Sequence, residues 1–338
     1  MNVRFELPDE LSASAPPEAR GLARDEVRLL VASPSGVHHT VFSSLDEHLR
    51  PGDLLVVNTS GTLPAAVDAV RGGRPVVVHF STALDDGSWV VELRAPGGPL
   101  RDGRPGERLE LPSGASLTLL APAAPGDTRL WRADVAVEGP VPGFLAAAGR
   151  PIRYGYVPQA WPLADYQTVF AREPGSAEMP SAARPFTTEL VTRLVTDGVL
   201  FAPLLLHTGV SSPEAGEPPQ PERFRVPAPT AALVTWVRAR GGRVIAVGTT
   251  AARALESAAT ADGAVRPAEG WTNLVLGPGH PARVADGIIT GLHAPDASHL
   301  QLLQAVTGAE VVQRAYDAAV EERYLWHEFG DVSLLLRR

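Results

Sequence analysis

Residues 74–80 read RPVVVHF and residues 88–95 read SWVVELRA, with DDG at 85–87 between them. Branched and aromatic side chains crowd both runs, and the glycine after two aspartates supplies a turn. Three further short runs come next, ERLELP (107–112), ASLTLLA (115–121) and RLWRADVAV (129–137), separated by PGG and APGD, while RGG (71–73) precedes the set. Five strand-like runs between turn signals predict an antiparallel β module, a barrel or a sandwich, over 64–150. Outside that window the texture changes. DLLVVN (53–58), GVLFAPLLLH (198–207), RVIAVG (243–248) and GIITGLH (287–293) are apolar strands, each close to helical sequence such as TELVTRLVTDG (188–198). Strands alternating with helices read as an α/β domain. The expected architecture is therefore an α/β domain made of residues 1–63 and 151–338, interrupted by an inserted antiparallel β-barrel domain at 64–150. Near the end, AEVVQRAYDAAVEERYLWHEFG (309–330) sets Val311, Ala315, Ala319 and Tyr324 near helical spacing, as a packing helix does.

Composition narrows the chemistry. The chain has 338 residues, 44% hydrophobic and 20% charged, enough for two cores. No run approaches the roughly 18 apolar residues of a membrane span, and the amino terminus lacks the apolar core of a signal peptide, so a cytoplasmic protein is expected. There is no cysteine, which removes disulfides, thiolate nucleophiles and cysteine-ligated clusters. All 30 basic residues are arginine, so Schiff-base chemistry on a lysine is excluded as well. The net charge of −8 argues mildly against broad nucleic-acid binding, although a local arginine patch can still hold phosphates.

Four places carry candidate chemistry. EPGSAEMPSAARPFT (173–187) packs three prolines and a glycine against helical sequence, as a loop fixed over a reaction centre would. In RVIAVGTTAARALES (243–257) a strand meets Gly248 and two threonines before a helix. Thr249 or Thr250 can cap that helix and leave backbone N–H groups aimed at an anion, or act as a plain N-cap. The segment lacks the second and third glycines of a dinucleotide fingerprint. His207 ends the run FAPLLLH, and His293 repeats the arrangement before Pro295 and a cap at Ser298. Ligand crevices of α/β sheets lie at such carboxyl ends, and a hydrogen-bonded edge histidine fits the same position. The two histidines lack metal-ligand spacing and no third ligand clusters with them, so zinc is not expected.

Taken in order, RPGDLLVVNTSGTLPA (50–65), YQTVFAREPGSAEMPSAARPFT (166–187), LLLHTG (204–209), RVIAVGTTAARALES (243–257), GPGHPARVADGIITGLHAPDAS (277–298) and AYDAAVEERYLWHEFGD (315–331) resemble the S-adenosylmethionine:tRNA ribosyltransferase-isomerase family. The resemblance covers nearly the whole chain and implies an α/β domain interrupted by a β-barrel. It implies S-adenosylmethionine as substrate, tRNA as partner, and no metal or redox cofactor. The ribosyl part would move onto the aminomethyl group of a deazaguanine at the wobble position, giving epoxyqueuosine, adenine and methionine. His207 would transfer the proton and His293 would position substrate. Asn58, Tyr166, Gln167, Glu173, Ser176, Arg184, Phe186, Thr187, Gly209, Thr249, Thr250, Arg253, Thr290 and Ser298 would bind it.

The chain also departs from the family pattern. Thr59, Gly61 and Ala66 replace an aspartate and two arginines of NDTRVIPAR. Pro185 stands where the loop EPGSVAAPTAGLHFT has histidine, and Arg184 where it has an apolar residue. HVGAGTF survives as HTGVSSP, and Gly291, Asp296 and His299 differ from NFHLPKSTL. Arg71, Arg74, Arg94 and Arg101 of the barrel are left as phosphate contacts. Three readings result: a family enzyme acting on tRNA, a relative using S-adenosylmethionine in small-molecule chemistry, and a catalytically silent binding protein. Retention of tRNA and binding of S-adenosylmethionine separate them.

Overall fold

The computed structural model describes residues 3–210 and 220–337; residues 211–213 of the HTGVSSP segment lie outside them. The chain begins with β1 (Arg28–Ser33), β2 (Gly36–Val41), β3 (Leu54–Asn58) and the short β4 (Ser60–Thr62). It then builds β5 (Ala66–Arg71), β6 (Arg74–Ala83), β7 (Trp89–Ala95), β8 (Gly98–Pro99), β9 (Arg108–Glu110), β10 (Ser116–Pro122) and β11 (Leu130–Ala136), and then α1 (Val141–Ala148). The remainder comprises β12 (Glu173–Ser176), α2 (Thr188–Thr196), β13 (Leu200–Leu206), β14 (Glu222–Val226), α3 (Ala228–Ala239), β15 (Val244–Val247), α4 (Thr249–Ser257), β16 (Ala268–Thr272), β17 (Gly287–Gly291), α5 (His299–Thr307), α6 (Ala309–Glu321) and β18 (Val332–Leu336).

Strands β5 to β11 form their own antiparallel sheet in the order β11-β10-β9-β5-β6-β7-β8. Leu130 of β11 also pairs with Glu92 of β7, and Ala133 with Trp89, which closes six of the strands into a barrel. Closure leaves these six strands no unpaired edge to protect. Val67, Val78, Phe80, Val91, Leu93, Leu117 and Leu119 fill the interior. All five runs expected from the sequence are strands. Two more, β5 and β8, were not expected. In β5 the sequence AVDAVR has weak strand propensity, and it forms because Gly72 and Gly73, at φ 54° and 80°, make the two-residue turn that folds it onto β6.

The α/β sheet has nine strands in the order β16-β14-β13-β3-β15-β17-β18-β1-β2. Strands β13, β3, β15 and β17 run parallel. Every residue of β3, β15 and β17 is buried, because hydrophobic layers cover both sheet faces: Leu54, Val56 and Ile288 pack on one side, Leu55, Val57 and Ile289 on the other. Val311, Ala315 and Ala319 lie on the buried face of α6 as expected. Tyr324 lies beyond that helix, which ends at Glu321; its ring is covered by the Arg28 guanidinium, 3.8 Å from the ring centre.

Candidate functional site

The four parallel strands end side by side, and the segments leaving those ends build the site. Asn58, the last residue of β3, is fully buried and its carboxamide is spent on neighbours: Nδ2 donates to the Leu206 carbonyl at 2.8 Å and to Thr250 Oγ1 at 3.2 Å, while Oδ1 accepts from Leu206 N and Ser60 N. Asn58 thus locks the ends of β3 and β13 to the first turn of α4. After β15 the chain turns at Gly248, whose φ of 96° favours glycine. The expected threonine cap is not formed: Gly248 occupies the N-cap position without a side-chain bond, and Thr250 Oγ1 accepts from Asn58 instead. The first-turn N–H groups of α4 keep no intrahelical partner.

These ends open onto a cavity of about 510 Å³. Tyr166, Gly209, Thr249, Thr250, Arg253, Thr290, His293 and Ser298 line it. Ser298 precedes α5 but makes no side-chain cap bond. His293 Nε2 lies 3.0 Å from Thr290 Oγ1, its carbonyl accepts from Trp326 Nε1, and its ring stacks on His299 at 4.5 Å and 10°. Burial, with His299 and His327 nearby, holds His293 well below its ordinary pKa, so the imidazole is neutral at pH 7. Burial also pushes His299 down to about 4, helped by Arg253. Arg253 pairs with Glu222 and donates Nε to the Leu274 carbonyl at 3.1 Å, while its buried Nη2 has no protein partner.

His207 is not on this wall, although Thr208 and Gly209 beside it are. Its Nδ1 bonds Ser60 Oγ at 2.7 Å, and its ring lies so close to Gly175 that a Cβ there would run into it. Ser176 completes the chain, with Oγ 2.6 Å from Ser60 Oγ and accepting from Thr208 N. The loop 173–187 is therefore divided. Its first residues form β12, paired in parallel with β4 over His207, and only its middle, from Ala177 to Ala182, covers the cavity.

The other residues expected to bind substrate do not line the cavity, and each makes a contact within the protein. Gln167 bonds both backbone groups of Thr62, at 3.0 and 2.8 Å. Glu173 pairs with Arg225 at 2.6 Å. Arg184 Nη2 meets Glu18 at 2.9 Å and Nε donates to the Asp165 carbonyl. Phe186 sits in the core against Phe42 and Phe170, and Thr187 caps α2 by accepting from Leu190 N at 3.1 Å.

Sequence reasoning missed much of the opposite wall: Tyr154, Tyr156, Glu178, Glu222, His327 and Glu328. Tyr154 donates to Glu178, and Tyr156 donates to Glu328 Oε2 at 2.5 Å. Glu178 and Glu328 lie inside the segments that carry the family resemblance; the only signal for the tyrosines was their spacing of two in the glycine-containing stretch IRYGYVP (152–158). Among the described residues no group of three or more His, Asp or Glu could hold a metal ion, and no helix is long and apolar enough to cross a membrane.

A family model described as queuosine biosynthesis protein matches residues 1–335. The chain is 36% identical over 345 residues to the S-adenosylmethionine:tRNA ribosyltransferase-isomerase of Symbiobacterium thermophilum, covering 98% of both chains. It is 33% identical over 347 residues to the protein of the same name from Natranaerobius thermophilus, covering 98% of this chain and 97% of that one. The crystal structure of the S-adenosylmethionine tRNA ribosyltransferase from Thermotoga maritima superposes with a TM-score of 0.54 at 29% identity, over 98% of this chain and 99% of that one. With the barrel interrupting an α/β sheet and the cavity at the ends of its parallel strands, these matches leave one assignment: the chain belongs to the queuosine biosynthesis protein family.

Proposed function

We propose that this protein is an S-adenosylmethionine:tRNA ribosyltransferase-isomerase, and that the 510 Å³ cavity is its reaction chamber. Similarity over the full length to relatives bearing that name supports the reading, and one structural observation carries it: His293 and Arg253 line a single cavity at the carboxyl ends of parallel strands. A sulfonium acidifies the protons on the adjacent ribose carbon, so a neutral imidazole on the wall can accept one. We assign that step to His293. His207 holds the floor of the site through Ser60 and Ser176. Arg253 Nη2 and the first-turn N–H groups of α4 offer donors to the ligand's acceptor atoms. The inserted unit is taken as residues 64–150, tRNA as the acceptor and the cytoplasm as the compartment.

Of the barrel arginines suggested for phosphate contacts, Arg71 is held by Asp102 and Glu107, at 2.5 and 2.7 Å, and Arg94 by Glu92 at 2.9 Å. Binding of tRNA is therefore expected to show a shallow salt dependence, each phosphate contact adding about one unit to the log–log slope. The test is incubation with S-adenosylmethionine and tRNA carrying the aminomethyl base, then mass analysis of the products. Equimolar adenine and methionine with a matching gain in tRNA mass supports the assignment. Binding of S-adenosylmethionine without any release of adenine overturns it.

A further inference from the structure

The carboxyl of Glu328 faces the cavity without a cation. It accepts from Tyr156 at 2.5 Å, and no arginine among the described residues forms an ion pair with it. The two arginines on the same wall are engaged by other carboxylates, Arg253 by Glu222 and Arg129 by Glu92. Tyr156 stacks on His327 at 4.1 Å and 15° and on Tyr154 at 6.0 Å and 27°, so a short ring stack with one outer face stands beside the carboxyl. His327 takes up a left-handed backbone, φ 73°, to bring its ring there. Strain of this kind is held in place by its surroundings and gathers where a protein positions groups for chemistry. Tyr156, Tyr166, His327 and Glu178 lie about Glu328 and none supplies a positive charge at pH 7; Arg184, which lines a small neighbouring pocket with Glu328, is paired with Glu18 at 2.9 Å. A carboxyl taken out of water without a cation keeps its proton more readily than one in solution, and a neutral carboxyl can donate that proton.

We infer that Glu328, beside the Tyr156 and His327 rings, is the general acid for the departing adenine. The inference rests on the proposed ribosyltransferase-isomerase activity. In the step, the bond between ribose C1′ and adenine N9 breaks and its electron pair goes to the base, while a lone pair of the ring oxygen O4′ forms a second bond to C1′ in its place. The Glu328 carboxyl proton passes to a ring nitrogen, so adenine leaves neutral and Glu328 remains as carboxylate, to be reprotonated from water. The stacked rings offer a sequence-tolerant π-face for the base. Burial raises the Glu328 pKa, which the hydrogen bond from Tyr156 only partly offsets, in keeping with this role.

The test compares Glu328→Gln, which can still hydrogen-bond but cannot transfer a proton, with wild type. Substrates are S-adenosylmethionine and its analogues with carbon at ring position 3 or 7 of the base. Adenine release by Glu328→Gln should fall about 10²- to 10⁴-fold with KM for S-adenosylmethionine little changed. One analogue should be slow with wild type, and Glu328→Gln should slow it no further, because the proton acceptor is already gone. Turnover by Glu328→Gln within threefold of wild type would overturn the inference, as would equal losses on S-adenosylmethionine and both analogues, which marks a structural role. A second measurement is independent of activity: calorimetric binding of free adenine should weaken at least tenfold in Glu328→Ala, with folding checked by thermal melting. Wild type that is active while adenine affinity is unchanged in Glu328→Ala defeats the adenine pocket alone. Wild type that releases no adenine defeats the activity and, with it, the step.

Discussion

Glu92 in the barrel and Glu328 in the cavity are both glutamates withdrawn from water, and their surroundings treat them oppositely. Glu92 is 1% exposed and its two oxygens meet Arg129 at 2.7 Å and Arg94 at 2.9 Å. Burial alone would raise its pKa, but His79, Arg129 and Arg94 outweigh that and hold it at about 2. Glu328 meets a tyrosine and no cation, so burial prevails and its pKa rises. The barrel closes its charges on one another, as a structural element must. The cavity leaves the Glu328 carboxyl without a cation.

The largest effect should come from breaking the closed cluster. Glu92→Leu removes the carboxylate shared by His79, Arg94 and Arg129 and should cost about 3–5 kcal/mol, read by chemical denaturation. A loss under about 1 kcal/mol would mean that the cluster contributes little. Next comes the floor under His207. Gly175→Ala drives a methyl into the imidazole and should cost about 1–3 kcal/mol as the ring or β12 shifts. A neutral result would show that His207 is mobile enough to swing elsewhere.

A smaller effect tests the two glutamates by pH. Glu92, with its folded pKa below the ordinary 4.5, contributes stability present above pH 4.5 and lost as pH falls toward about 2. Glu328, with its folded pKa above 4.5, binds more protons folded than unfolded, so its contribution is full below pH 4.5 and is lost as pH rises through the folded value. Glu328→Gln should therefore gain stability relative to wild type between pH 4.5 and 8, seen as a rising difference in Tm. A flat difference would remove the contrast. The smallest effect concerns the rim, where Asp296 lines the cavity and is exposed. Asp296→Lys should strengthen tRNA binding at low salt and steepen the log–log salt slope by about one unit. An unchanged slope would place the tRNA away from this rim.

The sequence made the strand ends legible, because Leu204–Leu206 before His207 and Ile288–Ile289 before His293 are apolar runs that stop at polar residues. It could not show which side of the sheet end each ring would face. His207 turns toward Gly175 because β12 pairs with β4, a contact across more than a hundred residues that no local pattern carries. Barrel strands were readable where valine and leucine crowd them, and β5 was not, since its turn rather than its side chains folds it. The opposite wall was the hardest to read. Tyr156 and Glu328 stand 172 residues apart, and nothing in either segment points to the other.

In the proposed reaction His293, rather than His207, performs the proton transfer in the cavity. The direct measurement is the single-turnover rate of adenine and methionine release from S-adenosylmethionine and acceptor tRNA, compared between His293→Gln and His207→Asn. His293→Gln should fall about 10²- to 10⁴-fold while S-adenosylmethionine still binds, and His207→Asn should stay within about tenfold of wild type. Loss of turnover in His207→Asn with His293→Gln near wild type would contradict the account.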